Sequence, residues 1–556
     1  MEQLHKYVEA ARQYGHTDEQ IRHTLAASGW HHSHIDTALG NTSSTATRKR
    51  WIAKKPRRMQ LIGIAALAIV ALTTAGGGIA YWLHGRATPP SAPMRPSITF
   101  YYDDGKTVLW QNNNPAQGGF TGNLPTKAPH FVFLAFASLE QKYGDDYWKQ
   151  GAWQVTTSLD AGLQASAEKV VADNYANIQA LSGGAADEEA TILQDVQTGQ
   201  IKAYVGGVNF SDPAYGPYDY AALKHEPGTS VFPFAYADLI EHTTSAGAGS
   251  MAADAQTTFP GYPCTNKTTP YAGGNCLWDY DLVYPGVMPI RYALGGLRNV
   301  PAMQAVYTAA GTGETTPAIN QFTGLIRSMG ASNGYNCYSD VPLTKAAQCY
   351  GNAVLGSSAY LSLADETNAL STFANNGKAI PQTPIISIRL NGKVKSAWQA
   401  PAGKQVIRPD TAYIINNIMS DPNASYLPGT CTGTACTGFK FQRYNGWHFA
   451  VDSGHVSDNF GTVMASWSAK YAVVSWVGNH NENVDLSAAR GTSGEYLVEP
   501  LTQKLMEAAH SGIAPSNWQQ PNDIQTLPAY VLTNHIHYGD VEPSPAEDLY
   551  PNWYRQ

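Results

Sequence analysis

Two groups of residues in this sequence have types and spacings that serve chemistry. Ser166-Ala-Glu-Lys169 is the single Ser-x-x-Lys of the chain, and this spacing sets a base one helical turn from a hydroxyl that is otherwise a weak nucleophile. Six cysteines form successive pairs separated by 12, 12 and 5 residues, which predicts three short-range disulfides in an oxidising compartment. The cysteines are Cys264, Cys276, Cys337, Cys349, Cys431 and Cys436.

Metal binding is the competing use of these cysteines, and of His31, His32 and His34 near the N terminus. No Cys-x-x-Cys or His-Glu-x-x-His spacing occurs in the sequence, and adjacent histidines on a polar surface are more often bystanders than ligands. We therefore expect no metal site and no cofactor. Six cysteines allow 15 connectivities, so the pairing of neighbours is only a preference for small loops.

The charge distribution divides the chain in two. The 556 residues carry a formal net charge of −7, yet residues 1–60 hold 10 Lys and Arg against 5 Asp and Glu, which leaves −12 for the remainder. With 43% hydrophobic and 14% charged residues, the composition excludes a disordered tail, a collagen and a coiled coil. The acidic main part also argues against a nucleic-acid-binding protein of the basic kind.

A membrane span explains this division. Residues 61–83 form an uncharged run of 23 residues, long enough at about 1.5 Å per residue to cross a hydrocarbon layer of about 30 Å. Seven Lys and Arg residues lie within 48–58, so the positive-inside bias keeps the N terminus cytoplasmic and places residues 84–556 outside. A cleaved signal peptide is the alternative, but 60 residues precede the apolar run, which fits an uncleaved anchor better.

The segments that flank the span have simpler predicted roles. Residues 1–40 show the helical periodicity and capping signals of a small three-helix unit, whose one expected role is to dock a partner. Residues 41–60 form a basic tether suited to anionic lipid head groups. Residues 84–97 are Pro-rich and predict a stiff linker.

Beyond the linker, strand and helix patterns follow one another. Residues 98–110 alternate like a short hairpin, and residues 159–174 have the pattern of an amphipathic helix. Two further hairpins are predicted within 190–207 and 462–478. The chain between these hairpins is rich in helices and loops, which favours an α/β domain with an antiparallel sheet.

Six collinear segments resemble the transpeptidase part of bifunctional, class A penicillin-binding proteins. The segments are 128–169, ILQDVQTGQIKAYVGG (192–207), EPGTSVFPFAY (226–236), MPIRYALGGLRNVPAM (288–303), VLGSSAYLSLADETNALSTFANNGK (354–378) and AVVSWVGNH (472–480). The resemblance covers about 128–520 and implies the serine β-lactamase/penicillin-binding transpeptidase fold, an antiparallel sheet with helices on both faces. It also implies a pedestal at 98–170, a transpeptidase-like domain at 171–520 and a C-terminal tail at 521–556.

The spacing between anchor and pedestal departs from that family. Class A members carry a glycosyltransferase domain there, whereas about 45 residues separate Leu83 from Ala128. We therefore expect this domain, and lipid II polymerisation with it, to be absent.

The three catalytic motifs of the family are degenerate at the matching positions. The positions are Thr229 and Phe232 for Ser-x-x-Lys, Leu297, Arg298 and Asn299 for Ser-x-Asn, and Asp452, Ser453 and Gly454 for Lys-Thr/Ser-Gly. The resemblance thus implies that a base, a relay hydroxyl and a binding cation are missing, and base assistance alone is worth about 10²–10⁴ in rate. An anion in place of the cation repels the substrate's carboxylate by about 1–4 kcal/mol at contact.

Two literal motif matches lie at other positions. Ser166 and Lys169 belong to the predicted amphipathic helix, where we expect both to face solvent. Ser457-Asp458-Asn459 spells Ser-x-Asn but follows the third motif instead of preceding it. We expect neither to be catalytic.

Three hypotheses remain open from the sequence. The leading one is a membrane-anchored, catalytically inactive pseudo-transpeptidase of peptidoglycan biosynthesis, which binds peptide or glycan stems weakly or binds cell-wall synthesis proteins. The second is an active D,D-transpeptidase or carboxypeptidase that uses His455 or Lys224 as a replacement base. The third is a purely structural scaffold whose cleft is filled by Phe232 and Leu297.

Overall fold

The computed structural model describes residues 96–555 with internal gaps, together with the isolated positions 18, 22, 39 and 40. The gaps are residues 114–123, 145, 213–214, 261, 271–273, 275, 280, 314, 333, 338–350, 358, 425–439, 456–460, 482–483, 485, 487–494 and 533–544. Apart from the isolated positions, the three-helix unit, the tether and the apolar run at 61–83 lie outside the described residues. No helix among the described residues is long and apolar enough to cross a membrane.

Strands and helices alternate along the described chain. The helices are α1 (Pro129–Tyr143), α2 (Ala161–Ser182), α3 (Phe232–His242), α4 (Ile290–Gly295), α5 (Asn299–Ala309), α6 (Thr315–Ser328), α7 (Leu363–Ala374), α8 (Pro409–Met419) and α9 (Glu495–His510). The strands are β1 (Ser97–Tyr101), β2 (Val108–Asn112), β3 (Ala152–Thr157), β4 (Glu188–Asp195), β5 (Ile201–Val205), β6 (Lys224–His225), β7 (Met251–Asp254), β8 (Gly286–Pro289), β9 (Asn336–Cys337), β10 (Ala359–Ser362), β11 (Lys378–Ala379), β12 (Ile385–Leu390), β13 (Lys393–Ala397), β14 (Lys404–Gln405), β15 (Arg443–Tyr444), β16 (Trp447–His448), β17 (Ala450–His455), β18 (Gly461–Trp467), β19 (Tyr471–Gly478), β20 (Ile524–Pro528) and β21 (Glu547–Pro551). Short 3-10 helices cover Tyr147–Gln150, Gly228–Val231, Gly351–Leu355 and Lys440–Gln442.

The main sheet has five antiparallel strands in the order β17-β18-β19-β4-β5. Helices cover both of its faces, with α2 and α9 on one side and α7 on the other. Successive residues therefore enter different cores: Ile192 packs in the same core as Phe373, and Leu193 in the same core as Leu501. Because both faces are buried, β19 is apolar at every position but Ser475 and Gly478 rather than alternating.

A second, mixed sheet lies before the main one and contains the predicted hairpin at 98–110. Its order is β13-β12-β3-β1-β2, with β1 antiparallel to β2 and parallel to β3. Helix α1 covers one face, where the Phe136 ring meets Phe100 edge-on at 4.8 Å and Trp110 at 5.2 Å between centroids. We call this whole sheet with α1 the pedestal; it adds β12 and β13 to the predicted 98–170.

Helix α2 connects the pedestal to the main sheet and is longer than the predicted 159–174. Asp160 begins the helix, because its carboxylate accepts hydrogen bonds from the backbone N–H groups of Gly162 and Leu163, both at 2.8 Å. Gly183 ends it in a left-handed conformation, φ 65°. The helix runs through residue 170, so a boundary between pedestal and transpeptidase-like domain at that position stays a prediction.

The C-terminal residues, predicted as a tail, form the β20–β21 hairpin, which docks on the body of the molecule. The buried Arg291 of α4 donates to both carboxylate oxygens of Asp548, at 2.8 and 2.6 Å, and to Asp421 at 3.1 Å. A cavity of about 430 Å³ lies at this junction. The hairpin is thus part of the folded unit.

Candidate functional site

The turn at Gly228–Val231 presents Thr229, the residue at the predicted nucleophile position. This turn is a 3-10 helix that leads directly into α3. Thr229 is half-buried, and its hydroxyl donates a hydrogen bond of 2.6 Å to the backbone carbonyl of Ser453 on β17. The one proton of this hydroxyl is therefore engaged with the strand.

Phe232 occupies the position at which the motif requires a base. It is the first residue of α3, and its side chain is fully buried, with 0% exposure, in the larger hydrophobic core. A phenyl ring has no group that accepts or donates a proton, and its burial here stabilises the helix as an apolar contact. The position therefore contributes to packing and not to proton transfer.

Ser230, next to Thr229, forms a buried hydrogen bond that sequence reasoning missed. Its hydroxyl lies 2.6 Å from Glu366 Oε1 on α7 and 2.9 Å from the carbonyl oxygen of Pro227. Burial raises the pKa of Glu366 to about 7, while the Ser230 hydrogen bond and nearby His225 oppose the shift. The Ser230 hydroxyl thus donates towards two acceptors, the Pro227 carbonyl and the Glu366 carboxyl group, and links the turn to α7. The only sequence signal was an acidic residue within the otherwise buried face of α7.

The loop before α5 carries the second-motif positions. Leu297 has a left-handed backbone, φ 51°, and its half-buried side chain packs against the larger core. The amide of Asn299 donates to the carbonyl of Trp278 at 2.9 Å, and its backbone N–H donates to the Asp279 carboxylate. The amide retained at this position thus holds a neighbouring loop.

Between these two residues, Arg298 forms a buried ion cluster with three aspartates. Its guanidinium bonds Asp254 at 2.6 Å and Asp281 at 2.9 Å, and it lies 3.4 Å from Asp279. We call these four residues the arginine cluster. Burial raises the pKa of Asp279 well above its usual range, and neighbouring Asp254 adds to the shift while Arg298 opposes it. Burial also raises the pKa of Asp254, and Arg298 again opposes the shift.

The third-motif positions lie on β17 and are buried, with 0% exposure for Asp452 and 1% for Ser453. The Asp452 carboxylate accepts the backbone N–H of Ser453 at 2.8 Å. At Gly454 the strand touches the 228–231 turn so closely that an added Cβ would lie 1.9 Å from the carbonyl oxygen of Pro227. Strand and turn are therefore in direct backbone contact.

Comparison with known proteins finds penicillin-binding proteins among both sequence relatives and solved structures. No family model matches the chain. Penicillin-binding protein 1A/1B of Bacillus subtilis (strain 168) is 23% identical over 364 residues, which are 63% of this chain and 34% of that protein. Penicillin-binding protein 1A of Streptococcus oralis is 22% identical over 415 residues, 71% of this chain and 58% of that protein. The chain thus spans between a third and about three fifths of the length of these relatives.

Solved structures agree with the sequence relatives. The penicillin-binding protein PonA1 from Mycobacterium tuberculosis superposes with a TM-score of 0.55 at 19% identity, over 69% of this chain and 92% of that structure. Penicillin-binding protein 1A from Haemophilus influenzae gives a TM-score of 0.56 at 15% identity, over 71% of this chain and 72% of that structure. The chain has the transpeptidase-like fold of penicillin-binding proteins. The resemblance seen in the sequence and the predicted α/β fold with an antiparallel sheet are thereby confirmed.

In this transpeptidase-like domain, the motif positions form two sets of contacts. Thr229, Ser453 and Gly454 meet at the contact between turn and strand. Leu297 packs against the larger core, which also contains Phe232, and Asn299 contacts the loop of Trp278. The cavity of about 430 Å³ lies elsewhere, and none of these positions lines it.

The remaining candidate residues have separate locations. Ser166 donates to the Gly162 carbonyl at 2.9 Å within α2, and Lys169 pairs with Asp173 on the exposed helix surface at 2.7 Å. Lys224 is half-buried on β6. The side chain of His455 and residues 456–460, with Ser457-Asp458-Asn459, lie outside the described residues.

The disulfide prediction is confirmed for one pair. Cys264 and Cys276 are joined by a disulfide. The pairings of Cys337 with Cys349 and of Cys431 with Cys436 lie outside the described side chains. Among the described residues, no three His, Cys, Asp or Glu side chains are arranged to hold a metal ion.

Proposed function

We propose that this protein is a membrane-anchored, catalytically inactive penicillin-binding protein homologue of cell-wall biosynthesis, which acts by binding peptidoglycan or partner proteins. The observation that carries the proposal is Phe232, fully buried where the family places its lysine base. A threonine hydroxyl without a base is a poor nucleophile. N-terminal residues on the cytoplasmic side and a main domain outside, with no role in nucleic-acid binding, complete the proposal.

The contact between β17 and the 228–231 turn supports inactivity independently of the base. Acyl transfer requires space beside the nucleophile for the substrate's carbonyl carbon, with reacting atoms about 3–3.5 Å apart. The Thr229 hydroxyl is 2.6 Å from the Ser453 carbonyl instead. A substrate would have to displace this hydrogen bond and separate strand from turn.

Mass spectrometry of the full chain after incubation with a penicillin tests inactivity. We expect no mass increase, beside an active family member that acquires one penicilloyl group per molecule under the same conditions. An adduct mapped to Thr229 or Ser230 would contradict the proposal.

The active-enzyme alternative makes a different prediction for turnover. If Lys224 or His455 replaced the lost base, the full chain would cleave a D-Ala-D-Ala peptide, and Thr229→Ala would abolish that cleavage. We expect no cleavage by either protein. Cleavage that survives Thr229→Ala would exclude Thr229 as the nucleophile.

The same closed contact favours a structural scaffold as the second candidate. With Phe232 and Leu297 packed against the core, a peptide or glycan stem has to bind elsewhere on the domain. Co-sedimentation with purified, protein-free peptidoglycan distinguishes the two candidates. Saturable co-sedimentation supports a binding protein, and its absence supports a scaffold that acts through protein partners.

A further inference from the structure

One end of the pedestal sheet is remote from the transpeptidase-like domain. Strands β1 and β3 run in parallel and start at this end, at Ser97 and Ala152. The turn between β12 and β13 lies beside them, because the Asn391 side chain accepts a hydrogen bond from the backbone N–H of Ala152 at 2.8 Å. At the opposite end of the sheet, the Ser158 hydroxyl donates to the carbonyl of Ile201 on the main sheet.

Lysines are concentrated at the remote end. They are Lys142, Lys149, Lys393 and Lys395, all exposed. We call these four residues the basic end. Lys149 pairs with Asp146 at 2.7 Å, while the other three form no ion pair among the described residues. This concentration contrasts with the net charge of −12 carried by the chain after residue 60.

Aromatic rings accompany these lysines. The ammonium groups of Lys142 and Lys395 lie 5.5 and 5.1 Å from the centroid of the Tyr143 ring. Lys149 lies 5.3 Å from the centroid of the Trp148 ring. The side chain of Val394, between two of the lysines, is 60% exposed. Amines, amphipathic rings and an exposed aliphatic side chain together suit the head-group region of a bilayer.

Chain connectivity brings this end to the membrane. The 13 residues 84–96 separate the proposed span from β1, and a Pro-rich segment extends by about 3.1 Å per residue, hence by about 40 Å at most. The start of β1, at Ser97, is therefore the part of the folded chain tethered nearest to the bilayer. The lysines of the basic end and its short connection to the proposed span both indicate that this surface faces the bilayer.

We propose that the basic end docks on the outer leaflet of the membrane through the phosphate groups of anionic lipids. Docking fixes the pedestal upright and holds the transpeptidase-like domain at a constant height and orientation. This inference rests on the membrane anchoring in the proposed function.

Hydrogen exchange of the full chain in lipid nanodiscs tests the docking. We compare phosphatidylglycerol with phosphatidylcholine nanodiscs and follow the segments 140–151 and 388–397. Exchange should slow by about fivefold or more with phosphatidylglycerol, the factor expected for even one lysine bound at an anionic surface. High salt should remove the difference, since exposed charges are screened.

A charge-neutralised variant and a matched control sharpen the test. Lys142→Gln/Lys393→Gln/Lys395→Gln should exchange equally in both lipids. Lys378→Gln/Lys404→Gln removes exposed lysines from β11 and β14 and should keep the protection. All five substituted lysines are on the surface, so unchanged melting temperatures verify that the variants fold.

The outcomes separate docking from anchoring. Incorporation into both lipids with equal exchange in both would overturn the docking alone. Protection by a soluble glycerol-phosphate polymer, with none from phosphatidylglycerol, would reassign the surface to a phosphate polymer and also overturn it. A chain that enters neither nanodisc would contradict the proposed anchoring and the docking together.

Discussion

The 228–231 turn and the loop of Leu297 both occupy catalytic-motif positions, but they depart from the family's motifs in opposite ways. The turn keeps its hydroxyls, and Thr229 and Ser230 direct them to a strand carbonyl and to Glu366. The loop gives up its hydroxyl and acquires a fully buried arginine with three aspartates around it. In the turn, the hydroxyls are retained and form hydrogen bonds within the protein. In the loop, the motif's hydroxyl is absent and a buried ion cluster is present.

The comparison predicts different energetic consequences for the two regions. Neutral hydrogen bonds contribute about 0.5–1.5 kcal/mol each, whereas removing one partner of a buried ion pair costs about 3–5 kcal/mol because a charge stays behind unpaired. The loop should therefore be far more sensitive to substitution than the turn. Four variants test this order.

Arg298→Met should have the largest effect. It leaves the buried Asp254 and Asp279 without their cation, and we expect a loss of about 3–5 kcal/mol in the free energy of unfolding. Urea denaturation monitored by tryptophan fluorescence measures it. Arg389→Met, at an exposed arginine of β12, is the control and should change stability by less than about 0.5 kcal/mol. Equal effects would show that the arginine cluster has no special role.

Sequence patterns could predict strands and turns of the main sheet, but they could not predict the arginine cluster. The apolar residues of β19 and the glycine of the 199 turn are patterns within short segments, and the structure has that strand buried along its length and Gly199 in a left-handed conformation. Asp254, Asp279 and Arg298 come from segments far apart in sequence, and only tertiary folding brings them together. Alignment located Leu297 and Arg298 without revealing that the arginine points into a set of aspartates.

The contacts of the 228–231 turn also join segments far apart in sequence and could not be predicted. The resemblance placed Thr229 and Phe232 at motif positions, and the apolar character of Phe232 already indicated burial. The Ser230–Glu366 hydrogen bond joins residues 136 apart in sequence, which no local pattern specifies. The contact of Gly454 with Pro227 likewise depends on how β17 approaches the turn.

Glu366→Gln should give the next largest effect, and its size should depend on pH. The folded-state pKa of about 7 lies above the usual 4.5, so between these values the unfolded chain loses the proton first and the wild type loses stability as pH rises. Above pH 7 the penalty is constant, at most about 3 kcal/mol. Glutamine does not ionise, so the variant should be the more stable protein at pH 8 and lose this advantage at pH 4.

Thermal unfolding across this pH range measures the difference between the two proteins. Glu188 and Glu189 also have raised pKa values of about 8, chiefly through burial, but they titrate in both proteins and cancel in the difference. A constant offset between variant and wild type at every pH would contradict the raised pKa of Glu366.

Gly454→Ala tests the contact between strand and turn. A methyl group at this position would lie 1.9 Å from the carbonyl oxygen of Pro227, so backbone has to move, and we expect a loss of about 1–3 kcal/mol. Gly324→Ala, inside α6 with no atom near the added methyl group, should instead stabilise by up to about 1 kcal/mol. Chemical denaturation measures whether Gly454→Ala lowers the free energy of unfolding while Gly324→Ala raises it.

Thr229→Val should have the smallest effect on stability. It tests most directly whether the Thr229 hydroxyl is held by its hydrogen bond to β17. Valine keeps the shape of threonine but cannot donate to the Ser453 carbonyl, so we expect a loss of about 1 kcal/mol. Thr229→Ser restores the donor and should recover most of it, whereas Thr126→Val, at an exposed threonine, should change little. If Thr229→Val were as stable as the wild type, the hydroxyl would be available to a ligand, and the turn would resemble an accessible site more than a closed one.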